Sequence, residues 1–429
     1  MAYAQVLGGG FQYDDFLVIV EEPGVPSLGA WAAGLGGLRP LLKLSYTLNG
    51  LADPGPAGFL AVNLGLHLLN TWLVHRLLLE VGAWTGLDGR RAGFAALAGA
   101  LLFALHPAQT EAVAYISGRS SSLAAAFCLG STLAYLRGRA GPRRGLALVL
   151  SPALFLLGLM VKETALVLPL ALVLLEGCRS APPRRPLRGP FVHLLGTALA
   201  AAALVAHPGY RRFLAASLSL RDGGAQARGA LEGLAHLGRI LVWPAGLNLD
   251  PPLAVPQAWT PALAATALAA ALLATAGFAS LRRRPWVAFG LLWGLVFLLP
   301  TQGPVPRLDP ANERHLYLAM TGFAFAFGDS LSALPARAGV AILGLLATAA
   351  GVATFRRIPD YRDEVTMWRS SLSVAPANPR AWNNLGVALQ GRGQGIEARR
   401  AFEEALRLRP GYGLAQENLR ALGAEGPRH

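Results

Sequence analysis

Lysine is almost missing from this chain. Lys43 and Lys162 are the only two among 38 basic residues, so arginine carries nearly all the positive charge. Cysteine is as scarce: Cys128 and Cys178 lie in or at the end of apolar runs, with no CxxC spacing and no histidine partner, which indicates neither a disulfide nor a metal site. Charge of either sign is thin, at 14% of residues against 53% hydrophobic with a mean hydropathy of +0.42, too apolar for a soluble globule of 429 residues. The net charge of +14 would suit nucleic acid. Its arginines, however, fall in short clusters between apolar runs, which is how charge sets membrane topology, and no nucleic-acid partner is expected.

What the chain does have is a succession of apolar segments. After a loop of mixed polarity to Gly58, candidate membrane helices lie near 59–80, 92–105, 121–136, 146–161, 164–175, 191–206, 261–281, 286–299, 316–327 and 338–355. The expected fold is all-α, a polytopic bundle of about ten spanning helices. Leu234 to Trp243, which contains His236 and Arg239, reads as interfacial. A single helix from Leu146 to Leu175 would hold Lys162 and Glu163 near its middle, at roughly 5 to 7 kcal/mol before pairing. Two shorter helices meeting at an interface avoid that cost.

Basic clusters at Arg90–Arg91, at Arg137, Arg139, Arg143 and Arg144, at Arg179, Arg184, Arg185 and Arg188, and at Arg282–Arg284 occupy alternate connections, which makes those connections cytoplasmic. The other connections are then outside. They carry Asp14 and Asp15, the stretch from His106 to Arg119, Lys162–Glu163, the loop from His207 to Thr260, and Pro304 to His315 with Asp309, Glu313 and Arg314. Acid–base pairs are therefore expected to gather on one membrane face.

Beyond Phe355 the chain turns polar, and Trp382, Leu385, Gly386, Ala398, Phe402 and Pro410 fit the tetratricopeptide pattern, with Leu389 where Tyr is usual. The complete repeat spans about 379–412; Trp368 and Pro376 lie one 34-residue period before Phe402 and Pro410, and Ala415 to Leu422 begins another helix. So short an array needs cover, and is expected to pack on the outer loops or on a partner. The domains expected are an outer loop with an acidic motif (1–58), a membrane domain (59–355) and the repeat region (356–429).

The run LFALHPAQTEAVAYISGR from Leu102 to Arg119 resembles a motif of the transmembrane and tetratricopeptide-repeat-containing O-mannosyltransferases. Tyr13-Asp14-Asp15 resembles that family's Trp-Asp-Asp loop, and Arg39-Pro40-Leu41 with Ser45 and Asn49 its Arg-Pro-Leu run. Asn63 with His67, Lys162-Glu163, and Glu313-Arg314-His315-Leu316-Tyr317 match further motifs, His315 replacing a Tyr. The resemblance covers Tyr13 to Leu419 and implies a membrane core of the glycosyltransferase C type. It further implies a sugar on a polyprenyl phosphate as donor, and a protein or glycan hydroxyl outside the cytoplasm as acceptor. Asp14 or Asp15 would be the general base. Arg39, His106, Glu111, Arg119, Lys162, Glu163, Glu313 and Arg314 would bind substrate, with Arg119, Lys162 and Arg314 steadying the departing phosphate.

No cofactor is called for. His106, Glu111 and Glu163 are of types that ligate a divalent metal, but no HExxH or comparable spacing supports such a site. The expected location is the cell (inner) membrane of a bacterium, in contact with lipid, with the repeat tail outside and free to bind a protein partner. The alternative is a non-catalytic membrane scaffold that recruits partners through that tail; donor dependence separates the two. A transporter would want paired charges near the midplane, whereas these polar residues gather at an edge. In the family the acidic loop follows a first membrane helix, and Met1 to Gln12 is too short and too glycine-rich to span, so a spanning helix is expected upstream of Met1.

Overall fold

The computed structural model describes residues 2–35, 37–140, 145–179 and 188–424; Arg143, Arg144, Arg184 and Arg185 lie outside the described residues. Those described form helices and turns, with no strand among them. The chain opens with short turns at Val6–Gly8 and Phe16–Val20, then α1 (Leu28–Ala33) and α2 (Pro40–Ala52). The bundle follows as α3 (Pro56–Trp84), α4 (Gly89–Leu105), α5 (Thr110–Ala114), α6 (Arg119–Ala140), α7 (Ser151–Val161), α8 (Leu168–Gly177), α9 (Arg188–Ala206), α10 (Pro208–Ser219), α11 (Gly223–Val242), α12 (Pro261–Ser280), α13 (Pro285–Gln302), α14 (Leu316–Ser332) and α15 (Ala336–Arg357). The tail is α16 (Glu364–Val374), α17 (Pro379–Gly391), α18 (Gly395–Leu408) and α19 (Gly413–Ala424).

Helix starts are written locally. Proline occupies the first turn of α3, α12 and α13, where its missing N–H costs nothing. Asp88 caps α4 by accepting from the backbone N–H groups of Arg90 and Arg91. At the centre α14 packs between α4 and α13. A Cβ on Gly328 would lie 2.2 Å from the carbonyl oxygen of Ala95, so only glycine lets α14 approach α4 that closely.

Each of the ten expected apolar segments is helical. Pro56–Trp84, Pro261–Ser280, Pro285–Gln302 and Ala336–Tyr361 are long and apolar enough to cross a bilayer, four among the described residues; counting each of the bent pairs Gly89–Leu105 with Pro107–Ala114 (57°) and Pro190–Ala206 with Pro208–Ser219 (86°) as one span gives up to six. The other segments are shorter or more polar and lie against their neighbours. Burial separates core from periphery: 67% of the α13 span is buried but only 11% of the α12 span, whose Leu268 and Leu272 face outward as lipid contact requires. The chain is a multi-pass membrane protein.

The break anticipated between Leu146 and Leu175 is present. α7 stops at Val161, Lys162 is fully extended (φ −156°, ψ 132°), and a 3-10 turn at Glu163–Val167 leads into α8. The apolar patch from Leu234 belongs to the longer α11, which buries Leu237 and Ile240. The tail does not stand apart. Tyr3, Ile19, Tyr46, Tyr361, Trp368 and Phe402 belong to one apolar cluster that joins the N-terminal segment to the repeat.

The arginine-rich end of the bundle differs from expectation in one respect. Arg91 pairs with Asp329 at 3.0 Å, Arg137 with Glu80 at 2.9 Å and Arg139 with Glu176 at 2.8 Å, so acid–base pairs occur at both ends. Each carboxylate sits within a turn or so of a helix end, where it reaches an arginine on the neighbouring helix.

Candidate functional site

The stretch between α4 and α6 forms the floor of the other end. Leu105 ends α4, and the Ala108 N–H donates to His106 Nδ1 (3.2 Å); the ring proton therefore sits on Nε2, which donates to the Leu241 carbonyl (3.1 Å). Both nitrogens of His106 are thus engaged in holding a turn. After α5 the chain makes a second tight turn, Ile116–Gly118, pressed against α5 itself: a Cβ on Gly118 would lie 2.3 Å from the Glu111 carbonyl oxygen. Only glycine at position 118 allows that approach.

Arg119 follows and points into the protein. Its Nε donates to Asn63 Oδ1 (2.8 Å), Nη1 to the Ser45 carbonyl (3.1 Å), and Nη2 to Asn49 Oδ1 (2.7 Å) and the Phe59 carbonyl (2.9 Å). The guanidinium also stacks over Tyr46, with 4.9 Å to the ring centroid. This fully buried cation ties α2, α3 and α6 together. Four neutral acceptors already hold it, and it does not line the cavity around Asp14. Asn63 Nδ2 extends the network to the Tyr115 and Ile116 carbonyls (both 3.2 Å), and His67 to the Tyr317 hydroxyl (2.9 Å).

The two adjacent aspartates separate. Asp15 is fully buried and accepts from the Gln12 N–H (3.0 Å), the Ser117 N–H (2.8 Å) and the Ser117 hydroxyl. Burial pushes its carboxyl up to about 7, although these hydrogen bonds pull the other way. Asp14 is half-buried and lines a cavity of about 210 Å³; its backbone N–H donates to the Tyr115 hydroxyl at 3.0 Å. Tyr13 before it adopts a left-handed backbone (φ 44°), uncommon for a non-glycine residue, and its ring meets Trp368 edge-on at 5.1 Å.

Glu111 and Arg314 share that cavity with Asp14. Glu111 Oε2 accepts from the Arg314 N–H (2.8 Å) and Oε1 lies 3.3 Å from the Arg314 guanidinium. Glu313 points the opposite way, behind the wall, where Oε1 accepts from the Asn248 N–H and lies 3.6 Å from Arg357. Burial raises its carboxyl to about 7. His315 closes the turn by accepting from the Asn312 N–H at 3.3 Å.

Beside this cavity lies a cationic cluster. Arg39, also left-handed (φ 55°), grips both oxygens of Glu163 at 2.9 to 3.2 Å, and Arg307 adds a second cation at 3.6 Å. Burial alone would raise the Glu163 carboxyl; Arg39 and then Arg307 outweigh it and hold it down at about 2. Lys162 Nζ donates to Ser121 Oγ (2.9 Å), and burial together with Arg314, Arg39 and Arg307 drives its ammonium well below the usual lysine range. Two arginines, with Lys162 beside them, thus flank a single carboxylate, an excess of positive charge suited to an anion.

The structure gathers Asp14, Glu111 and Arg314 around one cavity and Arg39, Lys162 and Glu163 in the cluster beside it. It sets Asp15, His106, Arg119 and Glu313 within the surrounding framework. Sequence reasoning missed Tyr115, Asp250 and Arg380 of the cavity wall, and Arg307 of the cluster. Arg307 shares the segment that supplied Asp309 and Arg314, and that was its one available signal. No group of three or more His, Cys, Asp or Glu side chains among the described residues is arranged to hold a metal ion.

Fold and site together define a class: an all-helical, multi-pass membrane protein with a polar cavity at one end, closed by a helical-repeat tail. Residues 379–412 match the tetratricopeptide repeat family. The chain is similar to proteins named protein O-mannosyl-transferase. It is 26% identical to F38B6.6 of Caenorhabditis elegans over 96% of this chain and 61% of that one, and 35% identical to Tmtc2 of Drosophila melanogaster over 41% of this chain and 20% of that one. Tmtc1 of Drosophila melanogaster is 36% identical over 38% of this chain and 20% of its own. The resemblance read from the motifs is therefore borne out, while this chain spans less than two thirds of each of these relatives. No solved structure matches.

Proposed function

We propose that this protein is a membrane glycosyltransferase that moves a sugar, mannose on the relatives' names, from a polyprenyl-phosphate donor to a hydroxyl of a protein or glycan on the extracytoplasmic side. The observation that carries the reading is that one acid of the Asp14–Asp15 pair faces a polar cavity whose Arg314 adjoins the cationic cluster of Arg39, Lys162 and Arg307. Asp14 takes the proton of the acceptor hydroxyl, whose oxygen attacks the anomeric carbon. The bond from that carbon to the phosphate oxygen breaks, the phosphate leaves with the electron pair, and the anomeric configuration inverts. Lys162, Arg307 and Arg314 stabilise the negative charge on the departing phosphate, and Arg39 holds Glu163 so that the cations are not dispersed by mutual repulsion.

The test is incubation of purified full-length protein with polyprenyl-phosphate mannose and a serine- and threonine-containing peptide, followed by mass spectrometry. A hexose added to the peptide, with release of polyprenyl phosphate, is the expected result. No transfer from any polyprenyl-phosphate sugar overturns the reading and favours the non-catalytic scaffold.

A further inference from the structure

We infer that the helical tail is part of the transfer site: Arg380 of α17 and Trp368 of α16 close the cavity over Asp14 and form the wall on the acceptor side. The inference rests on reading that cavity as the transfer site. Arg380 stands in the first turn of α17. Its Nη2 pairs with Asp250 and, at 2.7 Å, with Asp309; its Nε donates to Asp250 Oδ2 at 2.8 Å. Asn378, which caps the same helix, donates to the Asp250 carbonyl (3.2 Å) and carboxylate (3.0 Å). Two loops of the membrane domain, one carrying Asp250 and the other Asp309 and Arg314, are thereby fastened to one helix start.

The acidic loop is fastened from the same side. Tyr13, directly before Asp14, is held in its left-handed conformation with its ring against Trp368, while the Asp14 N–H is held by Tyr115. Losing the Arg380 contacts would leave Asp250, only 5% exposed, as a buried carboxylate without its guanidinium, and would free Asp309. The wall would then loosen where the acceptor must sit. Arg39, Lys162 and Arg307 lie outside the lining of this cavity, so the donor's phosphate sits where Arg314 meets that cluster and the Arg380–Trp368 wall is left to the acceptor. Arg380 is a positioning residue: it acts through the loops it fastens.

Two readouts on the full chain test this. In the first, Asp14→Cys is labelled with a small thiol reagent in the presence of Arg380, Arg380→Lys or Arg380→Ala; the native Cys128 and Cys178 are both buried and give a low background. Labelling should be about tenfold faster with Arg380→Ala, with Arg380→Lys intermediate. Equal rates in all three overturn the inference. Should Arg380→Ala fail to fold, Asp309→Asn, which keeps the Arg380–Asp250 pair, should still accelerate labelling, and no acceleration there overturns it equally. In the second readout, on otherwise unaltered protein, Arg380→Ala should raise the acceptor KM by about tenfold and leave the donor KM within about twofold. A protein that transfers no sugar yet labels faster without Arg380 refutes the proposed function but supports closure of the cavity by the tail. One that transfers normally, with both KM values and labelling unmoved, refutes the tail's role and leaves the proposed function standing.

Discussion

Asp14 and Asp15 are neighbours of the same residue type, and their surroundings give them different work. Asp15 is enclosed by Gln12 and Ser117, and Asp14 opens to the cavity. Nothing in the sequence distinguishes the pair, because the groups that decide it, Ser117 and Tyr115, lie about a hundred residues away. The raised carboxyl of Asp15 has a consequence for stability. Below its ordinary value of 3.8 both folded and unfolded chains hold the proton; between there and about 7 only the folded chain does. Its contribution is therefore complete at low pH and lost as pH rises through 7. The melting temperature should fall between about pH 4 and pH 7, and Asp15→Asn should flatten that slope; an unchanged slope would contradict the assignment. Arg119 was expected beside a phosphate, and its charge alone could not reveal that Asn49, Asn63 and two carbonyls would claim it. Arg119→Met should strand those acceptors at about 1–3 kcal/mol each, lowering the melting temperature sharply. A variant that melts with the parent but no longer transfers sugar would return Arg119 to the active site.

At the scale of elements, the apolar segments and the break at Lys162 were legible because burying a charge in mid-membrane costs too much to leave ambiguous. The pairs Arg91–Asp329, Arg137–Glu80 and Arg139–Glu176 were not, since each joins two helices whose adjacency depends on packing. Glu111 lines the cavity from α5, which packs against the turn that starts α6. Gly118→Ala would force a Cβ to within 2.3 Å of the Glu111 carbonyl, so α5 must move from the start of α6. The expected cost is about 1–3 kcal/mol. Thermal unfolding measures it, and transfer should fall with it as Glu111 shifts; a variant indistinguishable from the parent in both would show the contact to be slack.

At the scale of the molecule, the repeat was legible from its signature residues, but its place in the cavity wall was not. Arg380 carries no mark that separates it from any other charge on a helix start. Only the folded chain brings it to Asp250 and Asp309, more than seventy residues away in sequence for the nearer one. Because the tail and the acidic loop share one end of the bundle, they must share one side of the membrane. A reporter fused after His429 and a tag placed in the loop before Tyr13 should report the same compartment, which the proposed function expects to be the extracytoplasmic one. Opposite compartments would contradict the arrangement. The central claim is that Asp14, in this cavity, removes the acceptor's proton during sugar transfer. It is tested most directly by single-turnover transfer from polyprenyl-phosphate mannose, comparing the parent protein with Asp14→Asn. The account predicts a fall of roughly 100-fold or more at an unchanged melting temperature. Full transfer by folded Asp14→Asn would contradict it.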